Sequence, residues 1–152
     1  MTGSGAGFRV LVVEDEPLIG MDIEFAIERL GLEVVGPIAE LGKALDLASN
    51  EVLACAVLDI NILGGNSYPV ADKLLSRGVP VLFLSGYNKL TFPERFQEEA
   101  RLAKPYTADQ LDTELRNLCV RAMMSDNVSA VTQIVSGVDT NVVSILPPPL
   151  GG

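Results

Sequence analysis

Three carboxylates, one hydroxyl and one ammonium stand directly after apolar runs in this chain, the places where a polar side chain can be held ready for chemistry. Glu14 and Asp15 follow the run 8–13, Asp59 closes the run 52–60, Ser85 follows 79–84, and Lys104 follows Leu102-Ala103. Asp59 is the hardest to dismiss. In "AVLDIN" (56–61) it ends a stretch apolar on both faces, and an unpaired charge there costs too much to be incidental. Each of the others, taken alone, has an ordinary explanation as an exposed acidic turn, a Ser-Gly turn or a Lys-Pro loop.

Brought together, they would form a reactive pocket. Two unit charges about 4 Å apart repel by about 4 kcal/mol at the effective dielectric of a protein surface, so Glu14, Asp15 and Asp59 need a cation or raised pKa values. Carboxylate oxygens suit a hard divalent ion. Mg²⁺ takes one or two carboxylates and keeps waters and a phosphate oxygen in its shell, and the Asn61 backbone carbonyl is a further ligand within reach in sequence. A carboxylate beside Mg²⁺ and a lysine can attack a phosphoryl group and become an aspartyl phosphate. Lys104 would neutralise the charge on the transferred oxygens, Ser85 would donate a hydroxyl, and Gly86 would leave the centre open.

Composition removes most rivals. The 152 residues contain no histidine, which excludes a zinc-histidine site, a Ser-His or Cys-His pair and a phosphohistidine. A formal charge of −9 offers no footprint for a phosphate backbone, so nucleic acid is not expected as a partner. No apolar stretch approaches the roughly 20 residues needed to span a bilayer, and "MTGSGAG" lacks the features of a signal peptide; the expected location is cytoplasmic, away from the membrane. Cys55 in an apolar strand and Cys119 on a helix face read as small buried hydrophobes.

The elements that must position these residues follow from periodicity. Strands are expected at 8–13, 33–37, 52–60, 79–84 and 102–103. Helical spacing runs through Ile19, Ile23, Ala26, Ile27 and Leu30, then Leu41, Ala44, Leu45 and Ala48, then Val70, Ala71, Leu74 and Leu75. A weak fourth helix is expected over 92–100 on Phe92, Phe96 and Ala100, and a last one on Leu111, Leu115, Leu118, Cys119 and Ala122. Five βα units in a row predict an α/β fold, a doubly wound parallel sheet with helices on both faces. Ligands of such sheets sit beyond the carboxyl ends of the strands, and all five candidate positions fall at that edge.

The order "VLVVEDE", "AVLDIN", "LFLSGY", "LAKPY" resembles the receiver domain of bacterial two-component response regulators, over residues 8–122. The longer string "LGGNSYPVADKLLSRGVPVLFLSGY", with "FPERF" and "KPY", is similar to single-domain receivers that carry a Phe-Ala-Thr-Gly-x-Tyr motif. The resemblance implies a CheY-like sheet of order 2-1-3-4-5 and phosphorylation of Asp59 by a histidine kinase or other phosphodonor. It implies Mg²⁺ bound directly by Asp15 and Asp59 and through water by Glu14, Ser85 and Lys104 as sensors of the phosphoryl group, and a cis Lys104–Pro105 peptide. Output would pass by protein contact or phosphorelay to a downstream protein, without enzymatic turnover of a separate substrate.

Some positions depart from that pattern. Leu63 stands where receivers usually have proline, four residues after the phosphoacceptor, and the short strand before Lys104 lacks the usual switch aromatic. Phe83 and Tyr87 are read as the aromatics of the motif, with Leu84 and Ser85 replacing its Ala and Thr. Tyr87 is then the substitute switch residue, or simply a loop tyrosine. The loop 85–90 would move inward on phosphorylation, with 92–100 as the bistable element. The alternative function is a Mg²⁺-dependent phosphohydrolase with an aspartyl-phosphate intermediate, but such enzymes usually place an acid two residues after the nucleophile, where this chain has Asn61. Residues 123–152 read as a C-terminal extension of unknown role. Its "AVTQIVSG" and "NVVSILPPP" segments are strand-like, suited to packing back, adding a strand, or docking on a second copy in a homodimer.

Overall fold

The structure is a computed structural model, and it describes residues 8–86 and 92–124. Alternation begins with β1 (Arg9–Val13) and α1 (Pro17–Arg29), followed by β2 (Glu33–Ile38), α2 (Leu41–Asn50) and β3 (Cys55–Asp59). A small antiparallel hairpin comes next, β4 (Asn61–Ile62) with β5 (Gly65–Asn66), then α3 (Tyr68–Ser76) and β6 (Val81–Ser85). A single 3₁₀ turn at Glu94–Phe96, β7 (Ala100–Ala103) and α4 (Ala108–Met123) complete the described chain. The main sheet is parallel and runs β2-β1-β3-β6-β7. This is the CheY-like order expected from the sequence.

Period-two patterning builds both sides of the sheet. Val10, Val12, Val57, Leu82 and Leu84 face α1 and α4, where they meet Ile23, Ile27, Leu111, Leu115 and Leu118. Their sequence neighbours Leu11, Val13, Ala56, Leu58, Val81 and Phe83 face the other way, onto Ala44, Ala48, Val70 and Leu74 of α2 and α3. β3 is buried along its whole length, as the central strand of a sheet covered twice must be.

Helix ends follow their local chemistry. Pro17 opens α1, where its missing N–H costs nothing. The Glu40 carboxylate accepts from the Gly42 and Lys43 backbone N–H groups at the start of α2. Thr107 and Gln110 form a reciprocal capping box on α4. Gly36, at φ +114°, sits so close to β1 that an added Cβ would lie 2.5 Å from the Val12 carbonyl oxygen.

Two expectations fail. Residues 92–100 do not form a helix: Pro93 precedes one 3₁₀ turn, and Ala100 already pairs with Leu82 as the first residue of β7. The apolar residues spaced by four serve different partners here. Phe92 and Phe96 join Tyr68 and Phe83 in a cluster of rings with centroids 5.1–6.3 Å apart, while Ala100 is drawn into the sheet. The strand expected at 52–60 is shorter, because Val52 is 69% exposed and the chain leaves the sheet after Asp59 to enter the hairpin.

Candidate functional site

The carboxyl ends of β1, β3, β6 and β7 lie side by side in the sheet order, so the residues that follow them converge. The Glu14 backbone N–H donates to the Ile38 carbonyl at 2.9 Å, the Ile60 N–H to Leu84 at 3.1 Å, and the Lys104 N–H to the Ser85 carbonyl at 2.7 Å. These bonds stitch the strand ends into one rim. On it, Glu14, Asp15 and Asp59 each present a carboxylate oxygen within 4.8 Å of the others, the acidic group suited to a metal ion among the described residues.

Lys104 closes the cluster. Its ammonium lies 3.1 Å from Glu14, 3.2 Å from Asp59 and 3.5 Å from Glu16. The Glu14 side chain is fully buried, while Glu16 stands out in solvent. Burial pushes the Glu14 carboxyl up to about 7, helped by its hydrogen bond to Asp59 and by that neighbour's charge; the Glu16 backbone N–H and Lys104 pull the other way. Burial alone would lower the Lys104 ammonium, yet the Glu14 hydrogen bond and the two carboxylate charges hold it above the ordinary lysine range. Burial and the neighbouring carboxylate thus favour the protonated form of Glu14 beside the Lys104 ammonium.

A cleft of about 570 Å³ opens over this group, lined by Asp15, Asp59, Asn61, Gly86 and Lys104, with Ile19 and Tyr106 among its further walls. The Tyr106 hydroxyl is pushed up to about 12, first by burial and then by the Glu14 charge, so it stays protonated. Glu16, Asp22 and Tyr106 line the cleft as well, and the sequence pattern does not single them out. Glu16 and Tyr106 each stand two residues past a motif residue, Glu14 and Lys104, but only the folded geometry turns them toward the cleft.

The hard-oxygen donors fit a divalent cation. Glu14 Oε1 is buried with the Lys104 ammonium at 3.1 Å as its partner, and that single cation only partly balances the charge of the three carboxylates. Arrangements of this kind can hold a metal and expose one carboxylate to a phosphoryl group.

No family model matches the chain. The chain is 37% identical over 106 residues to the phyllosphere-induced regulator PhyR of Methylorubrum extorquens, covering 64% of this chain and 38% of PhyR. It therefore spans well under half of that regulator. The receiver domain of sensor histidine kinase PA1611 from Pseudomonas aeruginosa PAO1, which has a magnesium ion coordinated in its active-site cleft, shares the fold with a TM-score of 0.60. Identity there is 23%, covering 74% of this chain and 98% of that one. SdrG from Sphingomonas melonis Fr1 superposes with a TM-score of 0.65 at 35% identity, covering 78% of this chain and 98% of SdrG. The chain belongs to the CheY-like receiver domains of response regulators. That family is one of signalling domains.

The remaining residues expected for a receiver site fall unevenly. Asn61 lines the cleft from an exposed position in the β4–β5 hairpin, and it is the neutral amide two residues after Asp59. Leu63 is 57% exposed and anchored by its backbone: its N–H donates to Ala39 and its carbonyl accepts from Leu41. Ser85 ends β6, half-buried and paired with Ala103. The Lys104–Pro105 peptide is cis. Tyr87 lies outside the described residues, and its reading as the motif tyrosine needs correction. Counted one by one from Phe83, the closing tyrosine of Phe-Ala-Thr-Gly-x-Tyr falls on Asn88, and Tyr87 takes the variable position.

Proposed function

We propose that residues 8–122 act as a receiver in which Asp59 accepts a phosphoryl group from a histidine-kinase or phosphotransfer partner. The observation that carries this is the setting of one carboxylate. Asp59 ends a wholly buried strand, yet it faces an open cleft with an ammonium at 3.2 Å and two further carboxylates at ligand distance. Asp15 and Asp59 would hold Mg²⁺ directly, with Glu14 behind them and the Asn61 carbonyl as a further ligand. Mg²⁺, when bound, would draw charge from the phosphoryl oxygens.

An Asp59 carboxylate oxygen attacks phosphorus, and the bond from phosphorus to the donor breaks. Lys104 is then released from part of its carboxylate pairing, because Asp59 becomes a neutral acyl group, and its ammonium turns to a phosphoryl oxygen. Ser85 offers the second donor. A phosphoryl group brings about −1.5 to −2 charge and three acceptors, which draws Ser85 and Lys104 toward it and changes the surface beside the site.

The partner is expected to be a protein. Leu18, Met21 and Phe25 are 77%, 46% and 51% exposed and form one apolar stripe along α1, whose first turn borders the cleft. Incubation with acetyl phosphate and Mg²⁺, resolved on a phosphate-retarding gel, tests the proposal. Wild type should shift and Asp59→Asn should not; a shift that survives the substitution would refute it.

A further inference from the structure

The molecule's two cysteines come from residues 64 positions apart in sequence and meet in the core between the sheet and α4. Cys55 is the first residue of β3, paired with Val10 of β1 and 1% exposed. Cys119 lies on α4, one residue past the fully buried Leu118, and packs against the same apolar cluster. Their thiols hydrogen-bond each other, and both are free. This contact lies at the amino end of β3, while Asp59 is at its carboxyl end, so the phosphoryl chemistry does not use it.

The two thiols are unequal. Cys55 is sealed, and its contact with Cys119 together with burial holds its proton on. Cys119 is only partly buried; the hydrogen bond it accepts from Cys55 favours its thiolate and, with the nearby Arg116 charge, outweighs the opposing effect of burial. A partly buried, acidified sulfur with a second sulfur already in contact is the arrangement in which oxidation stops at a disulfide.

We propose that Cys55 and Cys119 form a peroxide-oxidised modification site, in which Cys119 is attacked first and Cys55 resolves it to an intramolecular disulfide. The Cys119 thiolate attacks one peroxide oxygen, the O–O bond breaks, and the product is Cys119 sulfenic acid with hydroxide, which takes up the proton lost from the thiol. The Cys55 sulfur then attacks the sulfenic sulfur. The S–S bond forms, the S–O bond breaks, and hydroxide leaves as water with the Cys55 proton. Two thiols are oxidised, and one peroxide is reduced to two waters. The bond would tie α4 to the central strand and fix the helix that follows the Lys104 loop.

Hydrogen peroxide titration of the folded full chain, followed by intact mass and non-reducing peptide mapping, tests this. The expected result is a monomer that loses two hydrogens, a single Cys55–Cys119 cross-link, and recovery with dithiothreitol. Cys55→Ala should leave Cys119 to proceed to sulfinic acid, and Cys119→Ser should leave Cys55 unreacted. If either variant fails to fold, the wild-type map alone decides, with urea-unfolded protein as the contrast. Independent over-oxidation of Cys119 in the folded wild type, a Cys119-linked dimer, or cross-linking only after unfolding would each overturn the proposal.

Discussion

Asp59→Asn should make the metal-free protein more stable, although it removes the residue on which the proposed function depends. The three carboxylates lie within 4.8 Å of one another, so each ionised pair repels by about 3.5 kcal/mol at an effective dielectric near 20. Lys104 sits 3.2 Å from Asp59, an attraction of about 5 kcal/mol on the same scale. Deleting the Asp59 charge therefore removes about 7 kcal/mol of repulsion and about 5 kcal/mol of attraction. Water at the half-exposed Asp15 and the proton carried by Glu14 shrink both quantities, which leaves a gain of about 1–2 kcal/mol. For a domain of this size that is a rise of roughly 4–12 °C in melting temperature. The pH dependence carries the same signature. Glu14 titrates at about 7 in the fold against 4.5 as an isolated group. Between those values the folded state binds the extra proton, so wild-type stability falls as pH rises through that window. In Asp59→Asn the fall should be shallower, since a cause of the shift is gone. Thermal unfolding followed by circular dichroism in EDTA, from about pH 5 to about pH 8, measures both effects, and Mg²⁺ should raise the melting temperature of wild type far more than that of the variant. An Asp59→Asn protein less stable than wild type at the alkaline end, or an unchanged pH slope, would refute the electrostatic reasoning.

Lys104→Met should cost about 2–3 kcal/mol, since it strands a buried Glu14 and a nearly buried Asp59 without their cation; urea unfolding measures this, and added Mg²⁺ should recover part of the loss. Phe96→Ala removes a 1% exposed ring from the four-ring cluster and should cost about 3–5 kcal/mol, read by the same assay. Thr107→Ala breaks the capping box of α4 and should cost about 1 kcal/mol, with hydrogen exchange rising first in that helix's opening turn.

Much of the fold was legible because a sheet covered on both faces leaves a blunt signal. Runs such as "VLVV" and "CAVL" admit no polar interruption, and Gly31 and Gly78, at φ +82° and +77°, mark the helix ends plainly. The carboxylate cluster was legible for a related reason, since topology alone brings strand ends together once the sheet is parallel. What stayed hidden depends on packing. The two-residue strands of the Asn61–Asn66 hairpin are too short to show any period. Phe92, Phe96 and Ala100 have helical spacing, but Pro93 and the pull of the Tyr68–Phe83 rings decide their conformation. Cys55 is the small buried residue expected, whereas Cys119 is only partly buried at the edge of the core, and their contact depends on how α4 docks on β3. The 17%-exposed side chain of Lys104 could be foreseen near Asp59; its third carboxylate partner, Glu16, could not.

The most direct measurement is chemical mapping of the acyl phosphate. The folded protein, phosphorylated with acetyl phosphate and Mg²⁺, is trapped with borohydride and digested, and the reduced carboxyl is located by mass spectrometry. Reduction at Asp59 alone, and only when Mg²⁺ is present, is the predicted result. Reduction at Asp15 or Glu14, or equal labelling in EDTA, would contradict the account.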